Sequence, residues 1–233
     1  MDTPWIRQIA ASHGPSEAMI VVSGFGTENK TGSDDYQIWV DSLRGAGWKG
    51  SVYFFWWDSS NKEHSKAVLF GQVGVGYIPY WEKHKRRAKR SGRDYIERLV
   101  RNEVHESSVS FMGHSLGARV LFFGLRNWSS QSSQKTKSLY LLGGAIPKNR
   151  NWSQLAHTAK CKIFNIYNSN DRTLRTQYRV SSLGLHPCGL WPIEARGSEI
   201  FNIDVTSWIS NSHCLEKYLS TLPMLANQGK IRF

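Results

Sequence analysis

A serine flanked by two glycines stands near the middle of this 233-residue chain. Residues 113–117 read G-x-S-x-G, with Ser115 at the centre. The apolar run 109–112 comes before them and predicts a short buried strand, and residues 118–123 follow as an apolar helix. A strand, a sharp turn with a serine at its tip and a helix make a nucleophile elbow, in which small glycines relieve steric crowding. The pattern therefore indicates a nucleophilic hydroxyl at Ser115.

A serine hydroxyl is a weak nucleophile at neutral pH and needs a general base. With an elbow of this kind the chain order is serine, then an acid, then histidine. His213 comes after the last predicted strand and next to the final predicted helix, which favours it as the base. The less well placed histidines are His105, His114, His157 and His186. Of these, His114 lies inside the elbow, and we expect it to point away from the site.

The acid should follow the strand that precedes the last one. Asp171 follows the apolar run 162–167 in this position and would hold the imidazole of His213 in one tautomer. It could also simply cap a turn, as aspartates often do. Asp204 and Asp58 stay open as alternative acids.

Ester or amide chemistry also needs two backbone N–H groups that bind the oxyanion. One should belong to Leu116, the residue directly after the serine. The other should come from the loop after the first predicted strand, where Gly24 would allow a close approach and the Phe25 amide is our choice.

These residues need a scaffold of alternating strands and helices. Apolar runs predict strands and amphipathic stripes predict helices, at 18–22, 36–43, 51–57, 91–105, 109–112, 118–123, 138–142, 162–167, 200–205 and 214–222. Ser91 and Asp94 form an S-x-x-D pattern that predicts the start of the helix at 91–105. The alternation predicts one α/β domain with a mostly parallel sheet and helices on both faces. A glycine-rich, aromatic and then basic stretch at about 59–90 is either a lid or an ordinary helical insertion.

Composition limits the remaining possibilities. The formal net charge of +12 favours anionic partners, and an anionic membrane surface is one candidate. Nucleic acid is not an expected partner, because no aromatic interleaving or recognisable module accompanies the basic run 83–90. We see neither a signal peptide nor an apolar span of membrane length and expect a cytoplasmic protein, at most peripheral to membranes. Neither the histidines nor the three cysteines have metal-ligand spacing, so we expect no metal and no cofactor.

Several stretches together resemble one family. Residues 113–120 resemble the elbow of the α/β-hydrolases catalogued as domain of unknown function 726, a group that includes the transmembrane and coiled-coil domains protein 4. Further stretches that agree in order are 141–145, 165–171, 189–193 and 202–205. The resemblance implies an α/β-hydrolase fold and a serine hydrolase of lipase or esterase type, with Ser115, Asp171 and His213 as its triad. We expect this chain to depart from the eukaryotic members by lacking their membrane-spanning and long flanking regions.

The expected function is cleavage of a carboxylic ester, from a small molecule or a lipid, through an acyl-serine intermediate. Two other classes stay open: a catalytically silent hydrolase fold that serves as a binding module, and a basic protein that binds membrane surfaces or nucleic acid. Thioesterases, amidases and acyltransferases use the same triad, and the sequence does not separate them from esterases.

Overall fold

A twisted seven-stranded sheet forms the centre of the part of the chain that the computed structural model describes, residues 2–25, 33–59, 77–178, 185–195, 197 and 199–233. The strands are β1 (Trp5–Ala10), β2 (Glu17–Val22), β3 (Ser51–Trp56), β4 (Ser108–His114), β5 (Thr136–Leu142), β6 (Lys162–Tyr167) and β7 (Ile200–Asp204). Their order across the sheet is β1-β3-β2-β4-β5-β6-β7, and all neighbours are parallel except β1 and β3.

The strand order reverses beside β2. The chain passes from β2 to β3 on one side and then returns to β4 on the other side. Such a reversal opens a crevice at the carboxyl ends of the strands, which is where open α/β sheets place their ligands. The segments at Ser23 and Ser115 both leave the sheet at this crevice.

Helices cover both faces of the sheet. They are α1 (Ser33–Gly45), α2 (Tyr77–Ser91), α3 (Glu97–Glu103), α4 (Leu116–Leu125), α5 (Ser130–Ser133), α6 (Trp152–Ala159), α7 (Thr206–Ile209), α8 (Leu215–Ser220) and α9 (Leu222–Asn227). Two π-helical turns, Gly92–Ile96 and Leu174–Tyr178, complete the set. This layered arrangement confirms the predicted α/β-hydrolase fold.

The central strands are buried on both sides, which is why they appear in the sequence as continuous apolar runs. In β2, Ala18, Ile20 and Val22 face a core formed with α2, α3, α4 and α6. Met19 and Val21 face a second core formed with α1, α7, α8 and α9. The alternation of side chains along a strand therefore supplies both cores from one short segment.

Ser91 does not begin a helix, and the capping prediction is wrong. Its backbone is already helical (φ −59°, ψ −43°), and α2 runs through it into the π-helical turn and α3. Packing explains the continuity: a Cβ on Gly92 would lie 2.0 Å from the carbonyl oxygen of Val120 in α4. Gly92 is a point of close helix contact and not a helix break.

The insertion predicted at about 59–90 falls largely on residues 60–76, which lie outside the described residues. Its described part is α2, which packs on α4 and contributes Trp81 and Ala88 to the core. β1 is an antiparallel edge strand that the sequence patterns did not reveal.

Candidate active site

The elbow holds Ser115 in a strained conformation between β4 and α4. Its φ of 53° and ψ of −118° lie outside the regions that residues with a Cβ prefer. The flanking glycines make this turn sterically feasible. A Cβ on Gly117 would lie 2.1 Å from the carbonyl oxygen of Val22, and one on Gly113 would lie 2.8 Å from the amide nitrogen of Ala118. The two glycines of the motif therefore have the steric role that the sequence pattern predicts.

Ser115, His213 and Asp171 form a hydrogen-bonded chain. The Oγ atom of Ser115 is 2.8 Å from Nε2 of His213, and Nδ1 of the same ring is 2.5 Å from Oδ2 of Asp171. With a proton on Nδ1 donated to the carboxylate, Nε2 has a free lone pair directed at the serine hydroxyl. The structure therefore brings together the three side chains that chain order selects.

The carboxylate of Asp171 is fully buried, and both of its oxygens accept hydrogen bonds. Oδ1 accepts from the amide of Leu174 at 2.9 Å, so Asp171 also caps the turn that follows it. Oδ2 accepts from the phenol of Tyr218 at 3.2 Å in addition to His213. Burial and the nearby carboxylate raise the pKa of Tyr218 well above its usual value, so the phenol keeps its proton and remains a donor. The sequence placed Tyr218 only on the buried stripe of a helix.

The two alternative acids have other partners. Oδ1 of Asp204 accepts from the amide of Thr206 at 2.8 Å, at the start of α7. Asp58 forms an ion pair with Arg87 at 3.6 Å. Of the three aspartates considered, Asp171 is the one in contact with His213.

Three consecutive carbonyl oxygens hold the loop that carries His213. The oxygen of Asn211 accepts from the amide of Arg172 at 3.2 Å, and that of Ser212 accepts from the side-chain amide of Asn168 at 3.1 Å. The oxygen of His213 itself lies 3.0 Å from Nε2 of His114. The ends of β4 and β6 therefore hold the loop residue by residue.

His114 does not point away from the site, contrary to our expectation. Its ring is 5.0 Å from that of His213, centroid to centroid, and it lines the same cavity. Burial, followed by repulsion from His213, lowers the pKa of His114 to about 3. The ring is therefore neutral near pH 7, and Nε2 must carry the proton to donate to a carbonyl oxygen.

The loop after β2 passes directly beside the serine. A Cβ on Gly24 would lie 2.8 Å from Cβ of Ser115, so glycine is the residue that fits there. Two indole N–H groups fix the preceding residue: Trp57 donates to the carbonyl oxygen of Ser23 at 3.0 Å, and Trp39 donates to its hydroxyl at 3.2 Å. Phe25 follows and lines the cavity, while Leu116 is the first residue of α4. Leu116 is thus the chain neighbour of Ser115, and Phe25 lines the same cavity as Ser115.

A cavity of about 350 Å³ opens onto Ser115 and His213. Its size falls in the range of small-molecule sites. Half of its twelve lining residues are apolar or aromatic, namely Phe25, Ile38, Trp81, Leu174, Tyr178 and Leu215. Ser115 thus faces a space with room for an apolar group.

The described residues contain no group of three or more histidine, cysteine, aspartate or glutamate side chains that could hold a metal ion. Nor does any helix in these parts of the chain have the length and apolar character needed to cross a bilayer.

Comparisons with known proteins place the chain in a family. The model of a family described as "Protein of unknown function (DUF726)" matches residues 75–228. A Schizosaccharomyces pombe protein, "Uncharacterized membrane protein C6F6.13c", is 30% identical over 148 residues, which are 62% of this chain and 18% of that protein. A Caenorhabditis elegans protein, "Uncharacterized membrane protein F35D11.3", is 28% identical over 130 residues, 54% of this chain and 21% of that protein. The chain spans about a fifth of the length of these relatives.

Solved structures of similar fold include a putative dienelactone hydrolase from Klebsiella pneumoniae, 12% identical, with a TM-score of 0.49 over 99% of this chain and 100% of that chain. Another is the mouse α/β hydrolase domain-containing protein 10, 8% identical, with a TM-score of 0.48 over 97% of this chain and 93% of that one. The family match covers more than half of the chain, and this protein therefore belongs to the family of proteins of unknown function DUF726.

Proposed function

We propose that this protein is a serine hydrolase that cleaves carboxylic esters, as lipases and esterases do. The observation that carries the proposal is the continuous hydrogen-bonded chain from the Ser115 hydroxyl through His213 to the buried carboxylate of Asp171. A hydroxyl, an imidazole and a carboxylate in this order form the triad that activates a serine.

The reaction has two steps. Oγ of Ser115 attacks the ester carbonyl carbon while Nε2 of His213 takes the hydroxyl proton, and the tetrahedral intermediate then expels the alcohol, which receives that proton. Water attacks the resulting acyl-serine, again giving its proton to Nε2, and the acid leaves as the serine regains its hydrogen. Asp171 orients the imidazole and stabilises the imidazolium that forms in each step.

The backbone amides of Phe25 and Leu116 would stabilise the oxyanion of each intermediate. Leu116 lies at the start of α4, where N–H groups have no partner within the helix and the helix dipole is positive. Removing one such donor typically costs roughly 3 kcal/mol in the transition state. The close approach of Gly24 to Ser115 supports the choice of Phe25.

The cavity supports an ester with an apolar acyl group. Its wall combines aromatic and aliphatic side chains, and burial of apolar surface stabilises binding by roughly 25 cal/mol per Å². A volume of about 350 Å³ suits a short or medium acyl chain better than two long ones.

A series of p-nitrophenyl esters of increasing chain length tests the proposal. Ser115→Ala should abolish turnover and labelling by a fluorophosphonate probe. Ser220→Ala, which changes an exposed serine at the end of α8, is the matched control and should retain both. Unlabelled wild-type protein, or equal turnover by Ser115→Ala, would reject the proposal; failure to label would favour a binding module.

A further inference from the structure

Three cationic side chains gather around one aromatic ring beside α2 and α4, and a fourth cationic residue is hydrogen-bonded to one of them. The ammonium of Lys89 lies 5.3 Å from the centroid of the Phe123 ring, and the guanidinium carbons of Arg119 and Arg150 lie 5.1 Å and 5.9 Å from it. Lys85 belongs to the same group, because its carbonyl oxygen accepts from Nε of Arg119 at 3.0 Å. We call these four residues the cationic cluster.

The cluster is electrostatically unbalanced. Glu82 is its neighbouring carboxylate and forms an ion pair with Lys85. Repulsion by Arg119 and Arg150 helps to lower the pKa of Lys85, although burial is the larger cause. Burial likewise lowers the pKa of Arg119, with a further contribution from Arg150. Counted over the described residues alone, the four positive groups outnumber the carboxylate of Glu82, which gives this partly desolvated place an excess of positive charge.

Arg119 has capacity for a ligand. Within the described part of the chain, its Nε is the one guanidinium nitrogen that has a protein acceptor. Contact of the guanidinium with the Phe123 ring, 5.1 Å from its centroid, helps to hold the group in place without using its remaining N–H groups. A planar group with unused donors suits bidentate recognition of an oxyanion.

The cluster adjoins the cavity of the candidate active site. Arg119 lies one helical turn after Ser115 on α4, and Lys85 lies one turn after the cavity-lining Trp81 on α2. One turn advances a helix by roughly 5 Å. Tyr178 lines the cavity and interacts electrostatically with Arg119. The two helices that line the cavity with Ser115 and Trp81 therefore also carry the positive charges of Arg119 and Lys85, one turn further along.

We infer that the cationic cluster binds a phosphate group, and that the ester cleaved at Ser115 carries this phosphate a short linker away from its acyl group. The inference rests on the proposed function and deepens it. Arg119 and the buried Lys85 would form the inner contacts, and the exposed Lys89 and Arg150 would close over the anion. A phosphate ligand has several acceptor oxygens and carries up to two negative charges. It therefore suits a site with several cations better than a carboxylate ligand does.

Binding to the Ser115→Ala protein tests the inference without turnover. The probes are a short-chain monoacylglycerol phosphate and the monoacylglycerol of the same chain length, both as monomers in solution, with binding followed by calorimetry. We expect the phosphate-bearing probe to bind at least about tenfold more tightly, as charge-assisted hydrogen bonds do. Lys89→Gln combined with Arg150→Gln should remove most of this difference and leave the neutral probe unchanged. Equal affinities for the two probes would overturn the inference.

Matched variants separate charge from folding. Arg98→Gln removes an exposed guanidinium that also lies on an aromatic ring, that of Tyr95 at 5.2 Å, and it should change neither affinity. Arg119→Lys keeps the charge but not the planar fork and should weaken the phosphate-bearing probe several-fold. An Arg98→Gln effect as large as that of the cluster variants would mean general attraction and would overturn the inference.

Two further arms identify the source of the phosphate. Inorganic phosphate should compete with the phosphate-bearing probe. If inorganic phosphate binds but the phosphate-bearing probe binds no more tightly than the neutral probe, the substrate assignment is overturned. The protein could also bind vesicles with anionic headgroups through the cationic cluster and fail to bind the monomeric probe. This result would overturn the substrate assignment and would indicate that the cluster binds a membrane surface. Failure of the proposed function appears separately, as wild-type protein that binds the probes but is not labelled by fluorophosphonate.

Discussion

His114 gives the most quantitative prediction, because its ring is neutral in the folded protein over a wide pH range. An unfolded chain protonates a histidine near pH 6.5, whereas the pKa of buried His114 is lowered to about 3. Between these values the unfolded state binds one more proton than the folded state. Stability therefore rises with pH and is lost as pH falls from 6.5 towards 3.

The size of this effect follows from the two pKa values. Each pH unit within the window is equivalent to about 1.36 kcal/mol, so lowering the pH from 7 to 5 should cost about 2 kcal/mol through this group alone. His114→Gln removes the titration but keeps a side-chain N–H that can reach the carbonyl oxygen of His213. His114→Leu removes both.

Urea denaturation followed by tryptophan fluorescence measures the effect. At pH 5 relative to pH 7, both variants should lose about 2 kcal/mol less than the wild type loses. If the proposed function holds, His114→Leu should also lower kcat by about tenfold because the His213 loop loses one of its three anchors, and His114→Gln should restore most of it. A wild-type pH dependence retained in both variants would refute the assignment of a neutral, buried His114.

Three shorter predictions follow. Asp171→Asn should reduce kcat by up to about 10⁴-fold while KM for p-nitrophenyl esters changes little, because the imidazole loses its orientation; equal kcat would contradict the relay. Gly117→Ala should lower the free energy of unfolding by about 1–3 kcal/mol in urea titrations, since its Cβ would meet the carbonyl oxygen of Val22; Gly47→Ala, with open space but a positive φ of 94°, shows for comparison the cost of backbone strain without a steric clash. Ellman's reagent should titrate one thiol in the native protein and three in denaturant, because Cys214 is exposed, whereas Cys161 and Cys188 are buried and burial raises the pKa of both; two fast native thiols would contradict that burial.

The sequence predicted the fold because the parallel strands are buried on both faces. Residues 18–22 of β2 therefore appear as an uninterrupted apolar run and β4 and β6 as largely apolar runs, and the comparisons confirm the family that the motifs resemble. β1 escaped prediction for the same physical reason. As an edge strand that pairs only with β3, it has a solvent side and includes the polar residues Arg7 and Gln8.

Helix boundaries failed where tertiary contacts overruled local signals. A serine, a glycine and an aspartate at 91–94 read as a helix start, yet the glycine is present because α4 passes too close for any side chain. The periodicity of one segment does not show how closely a second helix approaches. The distance between the two helices decides that position 92 must be a glycine.

The sequence likewise identified some residues of the candidate site and missed others. Chain order selected Ser115, Asp171 and His213, because each follows a strand whose end lies at one edge of the sheet. Their catalytic roles, and those of the Phe25 and Leu116 amides, stay predictions. The supporting contacts were not foreseeable, because they join distant parts of the chain: His114 contacts the carbonyl oxygen of His213 across 99 residues, and Tyr218 donates to the carboxylate of Asp171 across 47 residues.

The backbone contacts of the His213 loop explain how a loop can hold a histidine in place beside Ser115. The loop lies between the short helices α7 and α8, so without further partners its backbone oxygens would be free to move with solvent. Instead, the carbonyl oxygens of Asn211, Ser212 and His213 are bound by donors that follow or belong to β6 and β4. Those same strands precede Asp171 and Ser115. The backbone of the loop is therefore tied to the strands that also precede Asp171 and Ser115, and a displacement of the His213 backbone must break one of these contacts.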